Sequence, residues 1–169
     1  MIRLALLLSL FLSSASACTK DETLPADTTV VNGENPDLNL NSGLLIQIVN
    51  DVRRKGCNCG GTNMPAVGEV TWNNQLAQAA YNHSADMLKK NYFSHTSPTG
   101  STPGDRIKAA GYDWKAYGEN IAFNYTDERT VVEGWLKSPN HCQTIMSPKF
   151  KEMGAARSGQ YWTQDFGQK

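Results

Sequence analysis

The sequence has little that would hold a polyanion or cross a membrane. Its 16 Lys and Arg residues balance 16 Asp and Glu across 169 residues, which leaves no electrostatic footprint for nucleic acid. Beyond the first residues, no apolar run is long enough to span a bilayer. No internal repeat is visible. Histidine occurs three times and cysteine four times, so each can be weighed singly. What is present is an ordinary globular composition, 40% hydrophobic and 9% aromatic, enough for a real core in one domain.

The opening stretch carries one early charge, Arg3, an apolar run from Leu4 to Leu12, and small residues ending in Ala15-Ser16-Ala17. The run is short for a span and the ending is an A-x-A cleavage pattern, so residues 1–17 read as a secretory signal peptide. Cys18 follows directly, and small residues before a Cys resemble a bacterial lipoprotein box. Ala15 stands where such boxes usually carry Leu. Lipidation of Cys18 is the reading taken, with simple release as the alternative. It implies a soluble domain attached to a membrane through a lipid anchor only. Residues 18–41 are rich in Thr, Asp, Asn, Pro and Gly without a period, and read as a polar tether.

From Ser42 the chain becomes periodic, and residues 42–169 form the expected domain. Leu45, Ile48, Val49 and Val52 make one stripe that stops at Gly56, with Arg53, Arg54 and Lys55 in the last turn. Residues 57–69 read as a loop. The strongest helix lies in residues 71–93, with Leu76, Ala80, His83 and Met87 on one face. That placement makes His83 a buried core histidine, with Asp86 as a nearby carboxylate. His95 falls instead in a Ser-, Thr-, Gly- and Pro-rich loop, where stripe packing cannot explain it and binding chemistry is common. A short helix closes at Gly111. Glu119 enters an apolar segment, where a carboxylate needs a partner. A fourth helix buries Val131, Val132, Trp135 and Leu136, with Pro139 expected to end it. The C-terminus reads as two strands around Ser158-Gly159, and helices with late strands argue for an α+β layered domain.

His141 and Cys142 stand side by side. Cys142 has three readings: a nucleophile activated by histidine, a ligand with Cys57, Cys59 and His141 in a zinc cluster, or a disulfide to one of the Cys-Asn-Cys pair. An exported chain in an oxidising compartment favours the disulfide.

HSADM (83–87), NYFSH (91–95), GDRIKAAGY (104–112), YGENIA (117–122), WLKSPNH (135–141) and YWTQDFG (161–167) occur in an order that resembles the CAP superfamily, in its bacterial SCP-like extracellular branch. This group includes cysteine-rich secretory, antigen 5 and pathogenesis-related proteins. The likeness implies a three-layer α-β-α sandwich with a central, mostly antiparallel sheet. It also implies a cleft lined by two histidines and usually two glutamates. His95, Glu119 and His141 match three of these positions, while the second glutamate falls on Ser138, so the acid pair is broken. Glu133 precedes Trp135 by two and points to the other side of its helix. The likeness further implies a Cys59–Cys142 disulfide. Such a bridge would close more than eighty residues and stabilise by about 4 kcal/mol in the chain-entropy picture. If Cys18 carries lipid, Cys57 is left over; otherwise Cys18 and Cys57 can pair.

Two imidazoles and a carboxylate suit Zn2+ or another divalent cation, with His95 and His141 as the metal ligands. The resemblance does not establish catalysis. Ser94 beside His95 does not make a nucleophile, since adjacent side chains rarely aim at one point. The reading taken is a secreted or membrane-tethered binding domain, monomeric, whose cleft holds a metal or small ligand or meets an envelope component. A metal-dependent hydrolase or peptidase, and an envelope scaffold or adhesion module, are the alternatives.

Overall fold

The C-terminal residues read as two strands form a hairpin at the centre of the molecule. In the computed structural model, which describes residues 38–169, β5 (Glu152–Ser158) and β6 (Tyr161–Gln168) pair antiparallel around Gly159, whose φ of 57° suits the turn. The expected signal peptide, Cys18 and the tether as far as residue 37 lie outside the described residues. Along the other side of β6 runs β4 (Ala116–Phe123), in full antiparallel register from Ala116↔Gln168 to Phe123↔Tyr161. A two-residue strand, β3 (Thr71–Trp72), pairs parallel with β5, so the sheet order is β3-β5-β6-β4. The strand β4 is therefore an edge.

Both faces of this sheet are covered. On one face lie α2 (Asn74–Lys90) and α3 (Pro103–Ala109); on the other lie α1 (Ser42–Lys55), α4 (Glu128–Lys137) and α5 (Pro139–Ile145). The expected α-β-α sandwich is what the chain forms, and its sheet is mostly antiparallel. The larger core fills the α1/α4/α5 side, where Leu45, Val49, Trp135, Ile145, Trp162 and Phe166 are buried. On the opposite side α2 approaches the sheet closely enough that Gly154 has no room for a side chain: a Cβ there would meet the backbone of Leu76 and Ala77.

Two local readings are corrected, and one side chain gains a role. The segment after α1 is a hairpin, β1 (Cys57–Cys59) with β2 (Thr62–Met64), which its short polar strands conceal. Pro139 does not stop helical structure. It opens α5 at the first turn, where its missing N–H costs nothing, and Ser138 serves both as the end of α4 and the cap of α5. Arg53 stands in the last turn of α1, as expected. It is 1% exposed and donates to the carbonyls of Gly68 at 2.8 Å, Ile145 at 2.5 Å and Ser147 at 3.0 Å. This ties the end of α5 to α1.

Packing begins upstream of Ser42. Leu38 is 3% exposed against Ala77, Ala80 and Ala156, and its carbonyl accepts from the Arg157 amide at 2.8 Å. Asn41 caps α1 through Leu44 N at 2.9 Å. Among the described residues, no helix is long and apolar enough to cross a membrane.

Candidate ligand cleft

Strand alternation decides what Glu119 meets. Gly118, Asn120 and Ala122 face α5 and the larger core. Glu119 and Ile121 face α2, where Ile121 packs with Met87 and Tyr161. The Glu119 carboxyl group is 2% exposed. Its desolvation is offset by two partners. Arg106 of α3 donates from Nη2 to Oε2 at 2.6 Å, and His95 Nδ1 lies 2.7 Å from Oε1.

Arg106 also fixes the loop that carries His95. Its Nη2 donates to the His95 carbonyl at 2.9 Å and its Nη1 to the Ser101 carbonyl at 2.9 Å. The loop is held from below as well. His83 is fully buried on α2, as its place on the apolar stripe implies, and its Nε2 donates to the Ser94 carbonyl at 2.9 Å. Burial, the largest influence, holds the His83 imidazole below the usual histidine range and keeps it neutral. Asp86 is a neighbouring carboxylate of His83, as expected, and Tyr92 Oη stands between them, 3.5 Å from His83 Nδ1; Glu119 is a second acid beside the ring. Asp86 accepts from Tyr92 Oη at 2.7 Å and from Lys90 at 2.7 Å, while Glu119 Oε1 lies 3.9 Å from His83 Nε2.

His95 is thereby oriented. With Glu119 accepting at Nδ1, the proton sits there and the Nε2 lone pair is left for a ligand on a side chain that is 49% exposed. Burial, and then the charge of His95, lower the pKa of the half-buried His141 imidazole, so the two rings share one electrostatic environment. The His141 backbone is fixed from three directions. Its carbonyl accepts from Asn120 Nδ2 at 3.3 Å, its neighbour Cys142 forms the expected disulfide with Cys59, and Arg53 holds the far end of α5.

The expected site residues therefore do not all converge. His95 and Glu119 touch directly, whereas His141 is linked to His95 through its charge and makes no hydrogen bond to it among the described residues. Ser138 sits half-buried at the α4–α5 corner, with no side-chain cap bond. Among the described residues, the one trio whose ligand atoms lie within 4.8 Å of each other is Cys57, Cys59 and Cys142. The disulfide occupies two of its sulfurs, and Cys57 Sγ lies 3.4 Å from Cys142 Sγ.

The structure also supplies a second carboxyl group that Ser138 does not. Asp165 of β6 lies directly across the ladder from Glu119, is 1% exposed, and neither of its carboxyl oxygens has a hydrogen-bond partner of ordinary geometry among the described residues. Burial, and then the Glu119 carboxylate opposite, push its carboxyl well above the usual carboxylate range. Arg106 and Asp165 were not singled out from the sequence, although both stand inside quoted motifs. Only the strand register puts Asp165 beside Glu119, and only the turn into α3 brings Arg106 there.

A sandwich of this order, with a His-Glu pair clamped by arginine at the sheet edge, defines a class. Residues 46–166 match the family described as CAP, the cysteine-rich secretory protein family, and the chain belongs to it. It is 41% identical over 93 residues to the uncharacterized protein YkwD of Bacillus subtilis, covering 54% of this chain and 36% of that protein. It is 36% identical over 100 residues to the uncharacterized membrane protein YlbC of the same organism, covering 59% and 29%. A crystal structure of an extracellular SCP-domain protein from Bacillus anthracis superposes with a TM-score of 0.68 at 30% identity, covering 80% of this chain and 41% of that one. The matched region is about a third of each of the two curated relatives.

Proposed function

We propose that this CAP-domain protein works outside the cytoplasm as a binding domain whose cleft takes a divalent cation between His95 and His141. The observation that carries the reading is the His95–Glu119 contact, which turns the Nε2 lone pair of His95 outward while Arg106 neutralises the buried acid. A carboxylate behind a histidine is how metal-binding imidazoles are commonly oriented. His141 supplies the second imidazole, and its lowered pKa keeps it deprotonated and able to ligate at neutral pH. A cation held by two imidazoles leaves coordination positions for water or a small ligand. Export rests on the signal-like leader and on the extracellular B. anthracis relative, and tethering rests on Cys18.

The test is calorimetric titration of Zn2+ into the protein at about pH 7.5, where ordinary imidazoles are neutral. Binding should disappear in His95→Ala/His141→Ala. Binding of equal strength in the wild type and the double variant would end the reading.

A further inference from the structure

The open edge of β4 carries a second feature, distinct from the two histidines. Asn124 N donates to Gln160 O at 2.8 Å, and these residues lie one step beyond the Phe123↔Tyr161 pair. In an antiparallel ladder this fixes the alternation: the even residues of β4 bond to β6, and the backbone groups of Tyr117, Glu119, Ile121 and Phe123 point away from it. The fold covers part of that edge. Trp135 of α4 donates its indole N–H to the Ile121 carbonyl at 3.2 Å. Towards the start of the strand nothing does the same. Among the described residues, no group accepts from the amides of Tyr117 or Glu119, and none donates to their carbonyls.

The Tyr117 end of this uncovered half borders a groove of about 570 Å³, which Ala116, Tyr117 and Gly118 of the strand help to line. One wall is formed by Trp114 and Tyr117, packed edge to face at 4.5 Å between ring centres; the other is formed by Asn140, Gln143 and Thr144 of α5. Gly118 lies at its floor, where Phe150 and Thr144 leave no room for a side chain. Lys149 is the one charged side chain among the lining residues. The lining contains neither His95 nor Glu119 nor His141, so the groove is separate from the His-Glu site, although Gly118 and Asn140 are chain neighbours of Glu119 and His141.

We infer that this groove docks an extended polypeptide segment bearing an acidic side chain, which adds as a further strand along Tyr117–Glu119. Donors and acceptors repeating every second residue match a peptide backbone, as in other strand-addition sites, and a saccharide has no such repeat. The aromatic wall and the α5 amides receive alternate side chains, and Lys149 without a lining acid selects a negative one. The inference does not depend on a metal in the cleft, so either can fail alone.

The probe is a phage-displayed library of random peptides panned against the protein, followed by synthesis of the enriched sequence. Peptides with an acidic position should enrich, and binding should slow hydrogen exchange at the Tyr117 and Glu119 amides. Tyr117→Pro deletes an N–H that the sheet does not use, so affinity should fall by about tenfold or more. Should that variant fail to fold, Gln143→Trp, which fills the groove from an exposed position, must abolish binding. The inference is overturned if no peptide enriches, if the enriched peptide protects amides elsewhere, or if glycan fragments of the cell wall perturb the groove while peptides do not.

Discussion

Removing the guanidinium from Arg106 tests how the cleft floor is held. In the wild type its Nη2 bonds to Glu119 Oε2 at 2.6 Å, and the two side chains are 9% and 2% exposed. Arg106→Leu leaves a buried carboxylate facing Asp165, with the half-exposed His95 as its remaining close partner. Taking one partner from a buried ion pair costs about 3–5 kcal/mol, because the other charge is stranded. Adding Glu119→Gln removes the stranded charge, so the double variant should recover about 1–3 kcal/mol of that loss. Urea unfolding followed by Trp fluorescence measures the cycle, with an unchanged m-value as the check that the same surface is exposed. If Arg106→Leu costs the same in the wild-type and Glu119→Gln backgrounds, the two groups do not couple and the clamp is wrong.

Three further outcomes follow from neighbouring groups. Asp165 has a folded pKa above its unfolded value, so the folded state keeps a proton that the unfolded state releases above about pH 4. That contribution falls as pH rises through this window, so Asp165→Asn should gain stability over the wild type progressively from about pH 4 upward in denaturation series. A constant difference across pH would contradict this. Because the charge of His95 lowers the His141 pKa, His95→Ala should raise the His141 midpoint in an NMR titration, and no change would mean the rings are independent. The Cys59–Cys142 bridge spans 83 residues, and replacing both cysteines by serine should cost about 4–5 kcal/mol in thermal or urea unfolding. A cost below about 1 kcal/mol would show that Arg53 and Asn120 alone suffice to hold α5.

The parts of this molecule legible in the sequence were those with a long period or an unusual residue. The stripe of α2 exposed His83 as a core histidine, and its isolation in a polar loop marked His95 for chemistry. The β1–β2 hairpin was not legible because its three-residue strands alternate too briefly to show a period. Pro139 reads from the sequence as a helix end because a proline that ends one helix and one that opens the next look alike until Ser138 is seen to join two helices. Arg106 and Asp165 required tertiary information of different kinds. One depends on a turn that points α3 at Glu119, the other on cross-strand register, and a shift of one residue would have sent Asp165 to the opposite face. The disulfide brings together sulfurs 83 residues apart, and its partner came from family likeness.

The central claim concerns which imidazole nitrogens meet a cation. Two-bond 1H–15N spectra of the three histidine rings, recorded while Zn2+ is added, read this directly. The account predicts that His95 shifts at Nε2 while Nδ1 keeps its proton, that His141 shifts with it, and that His83 stays unmoved behind Ser94. Unchanged His95 and His141 resonances, or a shift at His83 alone, would contradict it.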